Sequence, residues 1–401
     1  MNLSCTGLSV VSSRSRCLEN VGAFVANKVA IPTSPLQSLR LGTWVKLICG
    51  ASFEDVLHIR NLSLVYTLAG VDCIDCAADA SVVTAVNQGI VAAQNISAVR
   101  RPWVMISVND SEDLHFRKAE FNPEECPIYC PRPCEKVCPA DAISRLNHLQ
   151  GGVLTERCYG CGRCFPVCPY DKIREITYVR DVFATAELLR RNDVDAIEIH
   201  TDGRDHKSFA ELWNGLGSSI EYLKLVAVSF PNLGDLTLPS MRAMYAVMQP
   251  HLSCHNLWQL DGRPMSGDIG RGATREAIAF AVSLAAAEDR PNGFLQLAGG
   301  TNANTVHGLK NVGLFQMTAT AKNTTESTTA GAILSDSSSY AVISGVAYGG
   351  YARKIVGRVL RSMESEYGLS CIEDHPNYLL EALKEAHALV GTVKCQVVPP
   401  Y

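Results

Sequence analysis

The amino-acid sequence predicts an α/β protein, namely a (β/α)8-barrel-like domain into which a compact cysteine-rich segment is inserted. Short runs rich in β-branched residues alternate with amphipathic helical patterns along most of the chain. Eight such runs occur, and the cysteine-rich segment falls between the third run and the helix that precedes the fourth. Alternating strands and helices imply a parallel sheet, and eight strands suggest a closed barrel. An open doubly wound sheet, which gives similar local patterns, is the alternative.

The composition is typical of a large globular chain. Of the 401 residues, 47% are hydrophobic and 19% are charged, so a sizeable buried core is expected. The net charge of −4 is dispersed and forms no basic stripe, which argues against nucleic acid as a main partner. No apolar run reaches the ~18 residues that indicate a transmembrane helix.

The first 40 residues differ in composition from the remainder. They contain seven serines and four basic residues against one acidic residue, Glu19. A serine-rich, basic and acid-poor N-terminal stretch is typical of an organelle transit peptide, and the lack of an arginine-rich amphipathic helix favours a plastid. We therefore predict a transit peptide over residues 1–40 and a location in the chloroplast stroma. A disordered N-terminus is the alternative.

The barrel-like domain is predicted over residues 41–119 and 178–401, and the inserted segment over residues 120–177. The eight predicted strands are, in chain order, Trp44–Cys49, Val71–Asp75, Trp103–Val108, Ala196–His200, Leu223–Ser229, Leu257–Leu260, Gly293–Leu297 and Ala341–Ser344. Helical patterns such as Ser52–Leu68 and Thr274–Ala287 follow most of them. The Thr/Ser/Ala-rich stretch Thr318–Ser339 is predicted to be a surface loop, with a catalytic lid as the alternative.

The second of two cysteine groups carries the clearest chemical signal. It reads Cys158-Tyr-Gly-Cys161-Gly-Arg-Cys164-Phe-Pro-Val-Cys168-Pro169, the C-x2-C-x2-C-x3-C-P pattern of bacterial ferredoxins. Two-residue gaps let a tight loop place three thiolates on one face of a cubane cluster. In two-cluster ferredoxins, the fourth cysteine of such a run binds the other cluster.

The first cysteine group, Cys126–Pro139, departs from this spacing because every gap between its cysteines is three residues. Its final C-x3-C-P step still matches, and the intervening prolines favour an extended chain. The crossover rule therefore predicts a ferredoxin-like segment with two [4Fe–4S] clusters, one bound by Cys126, Cys130, Cys134 and Cys168 and the other by Cys158, Cys161, Cys164 and Cys138. Structural zinc, a three-iron cluster in the first group, and clusters with a purely structural role are the alternatives.

Four further residues are candidates for catalysis. Cys73 and Cys76 form a C-x-x-C pair at the end of the second predicted strand, and in a barrel Cys76 would face the site as a redox thiol or metal ligand. Two small core thiols are the alternative. After the sixth strand, Asp261, Arg263 and Asp268 lie in a glycine-rich loop that leads into a helix, an arrangement that binds anions. A solvated loop is the alternative there.

Glycine-rich loops follow the last two predicted strands. In barrels, the loops after strands seven and eight often bind phosphate, so a phosphate-bearing cofactor such as a flavin is predicted there. The candidate residues are Gly299, Gly300, Thr301, Asn302, Gly345 and Gly349. Neither loop is a dinucleotide fingerprint, and glycines that merely allow tight turns are the alternative. His200 and Thr201 end the fourth strand and could line the mouth of the barrel.

Several separated motifs make the chain resemble a known family. They are Cys126–Tyr170, GVDCIDCAAD at 70–79, AIEIHT at 196–201, DGRPMSGDIG at 261–270, AGGTN at 298–302 and GVAYGGYARK at 345–354. Over most of residues 41–401 the chain resembles the cyanobacterial light-dependent period protein family. The resemblance implies an iron–sulfur redox protein that feeds light or redox state into circadian timing, with ligands at the eight cysteines. The transit-like N-terminus and Thr318–Ser339 depart from that pattern and suggest a plastid homologue, where bacterial clock partners need not exist.

Three functions are consistent with these features. The first is a redox relay or sensor that links photosynthetic redox state to regulation by exchanging electrons with a partner protein or the quinone pool, with peripheral thylakoid contact. The second is an oxidoreductase whose clusters feed a flavin or a substrate at the barrel mouth. The third is an assembly factor for a photosynthetic complex, in which the clusters are structural.

Overall fold

The computed structural model describes residues 18–27, 33–144, 152–262, 272–315 and 341–394. The stretch Thr318–Ser339 and the candidates Arg263 and Asp268 lie outside these ranges. Within them, no helix combines the length and the apolar character that crossing a membrane would require.

Eight parallel strands close into a barrel, which confirms the predicted fold class. Each strand pairs with its neighbours in chain order, and the last pairs with the first through contacts such as Trp44 with Gly345. Numbered with all strands of the chain, they are β1 (Trp44–Gly50), β2 (Cys73–Ala77), β3 (Trp103–Asn109), β6 (Ala196–His200), β7 (Leu225–Pro231), β8 (His255–Asp261), β9 (Phe294–Ala298) and β10 (Gly345–Tyr348).

Helices surround the barrel and bury their apolar faces against it. They are α1 (residues 18–27), α2 (Pro35–Leu41), α3 (Val56–Leu68), α4 (Ala80–Ile96), α6 (Val182–Leu189), α7 (His206–Leu216), α8 (Thr237–Met248), α9 (Ala273–Ala285), α10 (Thr305–Asn311), α11 (Gly350–Tyr367) and α12 (Pro376–Lys394). Aspartate side chains cap the first turns of α3, α4, α6 and α7 by accepting backbone N–H groups. These caps explain why each helix begins where it does after its strand.

The eighth barrel strand was predicted four residues too early in the chain. The prediction was Ala341–Ser344, whereas the strand is Gly345–Tyr348. Gly345 suggested a turn, but a Cβ atom at this position would lie 2.1 Å from the carbonyl oxygen of Trp44. The glycine therefore permits a close approach between β10 and β1 rather than a bend in the chain.

The barrel interior has an apolar end and a polar end. Trp44, Cys73, Trp103 and Met105 pack together at the end where the strands begin. Because successive side chains of a strand point to opposite faces, Asp75 lies inside the barrel and Cys76 points outward into the core beneath the helices. The prediction that Cys76 faces the site was therefore wrong, and Cys73 and Cys76 lie on opposite faces of β2.

The inserted segment follows β3, where the barrel strands end. Its stem is an antiparallel pair, β4 (Arg117–Glu120) and β5 (Arg174–Thr177), and its one α-helix among the described residues is the short α5 (Pro133–Val137). The Lys118 Nζ donates to the carbonyl oxygen of Ser52, in the loop after β1, at 2.7 Å and to that of Thr155, within the insertion, at 2.6 Å, so Lys118 joins the two. The segment has a small core of its own, separate from the barrel core.

Candidate metal centres and the barrel-mouth cavity

The eight cysteines of the insertion are free thiols that gather into two groups. Cys138, Cys158, Cys161 and Cys164 line one small cavity, which we call the inner group. Cys126, Cys130, Cys134 and Cys168 form the outer group. Burial raises the pKa of both Cys126 and Cys134, and the adjacent Cys168 thiolate raises it further. The inner group thus combines Cys138, the last cysteine of the first motif, with the first three cysteines of the second motif. The outer group combines Cys168, the last cysteine of the second motif, with the first three of the first motif, and this is the division that the crossover rule predicts.

Local geometry in both groups fits an iron–sulfur cluster. Backbone N–H groups of Ala119, Ala142 and Lys172 donate to the sulfur atoms of Cys158, Cys138 and Cys168 at 3.3, 3.2 and 3.4 Å. Such bonds stabilise the negative charge of a thiolate-bound cluster and tune its reduction potential. Gly160 has a φ of +68°, and a Cβ atom there would lie 2.4 Å from the carbonyl oxygen of Arg117. Glycine is therefore required where the loop passes the stem.

The two groups differ in exposure. Beside the outer group, Ile128 and Tyr129 are 87% and 81% exposed. In the inner group, Cys158 and Cys164 are buried, whereas in the outer group only Cys134 is. The outer group is thus the more exposed of the two, and the inner group lies on the side of the barrel.

A cavity of about 360 Å³ lies at the mouth of the barrel, and Cys161 of the inner group lines it. Its other walls come from the ends of β1, β2, β6 and β8, from the residues that follow β9 and β10, and from the N-termini of α9 and α11. The insertion therefore places a cluster ligand in the wall of the position where barrel enzymes bind their ligands.

The structure brings most of the predicted site residues to this cavity. Asp261, Gly299, Gly300, Thr301, Asn302, Gly349 and His200 line it. Gly345 does not, because it begins β10 at the far end of that strand. The Thr301 hydroxyl donates to the Ala347 carbonyl oxygen at 2.5 Å, and the Asn302 amide donates to the Thr274 hydroxyl at 2.7 Å. These bonds hold the loop after β9 against β10 and against the start of α9.

Sequence reasoning missed the polar floor of the cavity. Lys46 and Glu198 form a fully buried ion pair. The Glu198 carboxylate also contacts the His200 Nε2 at 3.0 Å and accepts a hydrogen bond from the Gln259 Nε2 at 2.6 Å. The available signal was a lone charged residue in each of three apolar strands, namely Lys46 in β1, Asp75 in β2 and Glu198 in β6.

His115, from the loop between β3 and β4, joins two carboxylates at the cavity. Its Nδ1 lies 2.7 Å from the Asp113 Oδ1, and its Nε2 lies 3.4 Å from the Asp261 Oδ2. Burial opposes protonation of His115, but the charges of Asp113 and Asp261 outweigh it and raise its pKa to about 9. Burial raises the pKa of Asp261 to about 6 although His115 and His200 oppose this shift.

His115 should make the stability of the protein depend on pH. Because its folded pKa lies above the unfolded value of about 6.5, protonated His115 stabilises the fold fully below that value. This contribution is lost as pH rises towards about 9. Relative to His115→Gln, the wild type should lose on the order of 2–3 kcal/mol of unfolding free energy between about pH 6 and about pH 9.5, as measured by anaerobic urea denaturation. Parallel pH profiles for the two proteins would contradict this expectation.

A closed (β/α)8 barrel with a ferredoxin-like insertion that gathers cysteines in two groups of four defines an iron–sulfur-binding barrel protein. The family model for the LdpA Fe-S cluster-binding domain matches residues 126–179, and the model for the Light dependent period A C-terminal domain matches residues 188–392. The chain belongs to the light dependent period A (LdpA) family, which confirms the resemblance found in its motifs.

One relative supports this assignment over nearly its whole length, and a second matches only a short part of the chain. Light dependent period A of Synechococcus elongatus is 40% identical over 367 residues, an alignment that covers 90% of this chain and 94% of that protein. An uncharacterized ferredoxin of Methanocaldococcus jannaschii is 32% identical over 73 residues, which cover 16% of this chain and 46% of that protein. The second likeness is thus limited to a short part of the chain.

Proposed function

We propose that this chain is an iron–sulfur redox protein that relays or senses electrons through two [4Fe–4S] clusters and links photosynthetic redox state to regulation. The observation that supports this most is the division of the eight cysteines into an outer group near solvent and an inner group against the barrel cavity. When bound, such clusters supply one-electron transfer. Two sites at different depths suit a path between an external partner and the barrel.

The residues of the chain would hold and tune these clusters. The outer group, Cys126, Cys130, Cys134 and Cys168, would bind one cluster, and the inner group would bind the other. Near the inner group, the Arg117 Nε donates to the Gly160 carbonyl oxygen at 2.7 Å, and the Arg117 guanidinium lies 5.4 Å from the centre of the Phe165 ring. The Arg117 Nη1 also forms an ion pair with the Glu175 Oε2 at 2.7 Å, so Arg117 ties the inner cysteine loop to the stem of the insertion, with its charge balanced by Glu175.

A second candidate function is a barrel oxidoreductase whose clusters feed a flavin or a substrate. The observation that favours it is that Cys161 lines the same cavity as Asp261 and Gly299. The buried carboxyl group of Asp261, with a pKa of about 6, could exchange a proton with a bound molecule near neutral pH.

We also propose that the protein works in the plastid stroma, with a redox partner protein or the quinone pool as its electron partner and with peripheral thylakoid contact. The serine-rich, basic composition of residues 1–40 supports this location. Because Val21 in α1 and Leu39 in α2 are buried in the folded protein, a removable transit segment would have to end before α1. Recovery of the chain outside the plastid fraction of lysed cells would contradict it.

The test is anaerobic purification followed by iron, sulfide and metal analysis and by optical and electron paramagnetic resonance spectra. We expect about eight irons and about eight sulfides per chain, and reversible reduction of the clusters. Flavin bands would favour the oxidoreductase instead. Stable co-purification with a thylakoid complex, together with clusters that resist reduction, would favour an assembly factor, and zinc in place of iron would contradict all three functions.

A further inference from the structure

Two helices begin at the barrel-mouth cavity without a side-chain cap from the residues that the structure describes. Helix α9 follows Gly272 and helix α11 follows Gly349, and no side chain in the described part of the chain caps either one. Both N-termini line the cavity. The first N–H groups of a helix lack partners within the helix, and its dipole is positive at this end. Two such ends at one cavity favour an anionic group.

Two cations stand beside the α11 N-terminus. Arg353 and Lys354 line the cavity. Arg353 donates to the Cys49 carbonyl oxygen, and its guanidinium lies 4.1 Å from the centre of the Tyr159 ring. Its Nε is buried without a hydrogen-bond partner among the described residues. The positive charge of Arg353 is therefore held in place by the fold, whereas Lys354 is exposed.

An independent feature of the cavity indicates a ligand with hydrogen-bond donors. Asp261 is only 6% exposed and lines the cavity, yet its Oδ1 has no hydrogen-bond partner within the described ranges. A buried carboxylate oxygen without a donor is costly unless a ligand supplies one. The cavity volume of about 360 Å³ lies in the range of small-molecule sites.

We propose that the barrel mouth binds a phosphate-bearing small molecule. Its phosphate lies at the α11 N-terminus beside Arg353 and Lys354, and its N–H or O–H groups donate to Asp261. Phosphate suits the site better than a carboxylate because its oxygens can accept from several N–H groups and two cations together. The positions after the seventh and eighth barrel strands are those at which barrels commonly hold phosphate.

The ligand site is linked to the inner cluster. Tyr159, on which Arg353 stacks, lies between the inner-group residues Cys158 and Cys161, and Cys161 itself lines the cavity. Reduction adds one negative charge to the cluster and so weakens the binding of a nearby anion. By reciprocity, the anion must make the cluster harder to reduce. This linkage rests on the proposed redox function, whereas the binding site does not.

Gly350 offers a matched pair of variants for testing the site. A Cβ atom at Gly350 would meet only the Arg353 guanidinium, at 4.0 Å. Gly350→Asp places a carboxylate at the first turn of α11, which suits the helix dipole but repels phosphate. Gly350→Asn is nearly isosteric and neutral. In anaerobic calorimetric titrations of the full, cluster-loaded chain with inorganic phosphate, we expect a Kd on the order of 1 mM or lower.

Phosphate affinity should fall at least roughly tenfold in Gly350→Asp and stay within roughly threefold in Gly350→Asn, with iron content unchanged in both. Failure of the wild type to saturate, or equal affinity in wild type and Gly350→Asp, would overturn the site.

In the wild type, phosphate should lower the midpoint potential of the inner cluster, by about 59 mV if the two redox states differ tenfold in affinity. Phosphate binding by a chain whose clusters cannot be reduced would refute the redox function and the linkage alone. Reversible clusters without phosphate binding would refute this inference alone.

Discussion

Replacing Cys161 with serine is expected to lower the iron content from about eight to about four atoms per chain and to leave the barrel folded. Cluster ligation requires a thiolate, and a serine hydroxyl is a poor substitute. The core of the insertion is separate from the cores of the barrel, so loss of the inner cluster should not unfold it. Iron and sulfide analysis and far-ultraviolet circular dichroism of the anaerobically purified variant would measure both effects.

Two control variants make this result specific. Cys130→Ser, in the outer group, should also remove about four irons but leave the cluster beside the cavity. Cys371→Ser lies outside both groups, in a half-buried position, and should keep the full iron content. If Cys161→Ser retained all its iron, the ligand assignment would be wrong. If Cys161→Ser lost all its iron while Cys130→Ser lost half, the two groups would not be independent sites.

Lys46→Met should destabilise the protein by about 3–5 kcal/mol, because it leaves the Glu198 charge buried inside the barrel without its main counterion. Both side chains of this ion pair are fully buried. Burial opposes ionisation of Glu198, but the charge of Lys46 and the contact with His200 outweigh it and lower the pKa of Glu198. The variant should therefore also lose the stability that ionised Glu198 provides above its unfolded pKa of about 4.3.

Anaerobic urea denaturation near neutral pH would measure this loss of stability. The exposed pair Lys207–Glu211 offers a matched control, because Lys207→Met removes the same charge from a side chain that is 86% exposed. That control should change stability by less than about 1 kcal/mol. Adding Glu198→Gln to Lys46→Met should recover part of the loss. A double variant as unstable as the sum of its single variants would contradict direct coupling between Lys46 and Glu198.

The predictions that the structure bears out depended on local patterns. Strand and helix periodicities of 2 and 3.6 residues are properties of neighbouring residues, so seven of the eight barrel strands could be located to within a few residues. The prediction of the eighth strand, β10, was wrong because Gly345 permits close packing against Trp44, a residue distant in the chain. A glycine that permits close packing and a glycine that permits a turn are indistinguishable until the partner strand is known.

The sequence by itself determined the fold class, the iron–sulfur character and the family, because cysteine spacing and the alternation of strands with helices are patterns among residues that are close together in the chain. Only the tertiary structure decided which side chains meet. Lys46 and Glu198 are 152 residues apart. Whether Asp75 or Cys76 faces the cavity depends on which face of β2 turns inward when the barrel closes. The position of Cys161 in the cavity wall also depends on tertiary structure. It is set by closure of the barrel and by the docking of the insertion through Lys118.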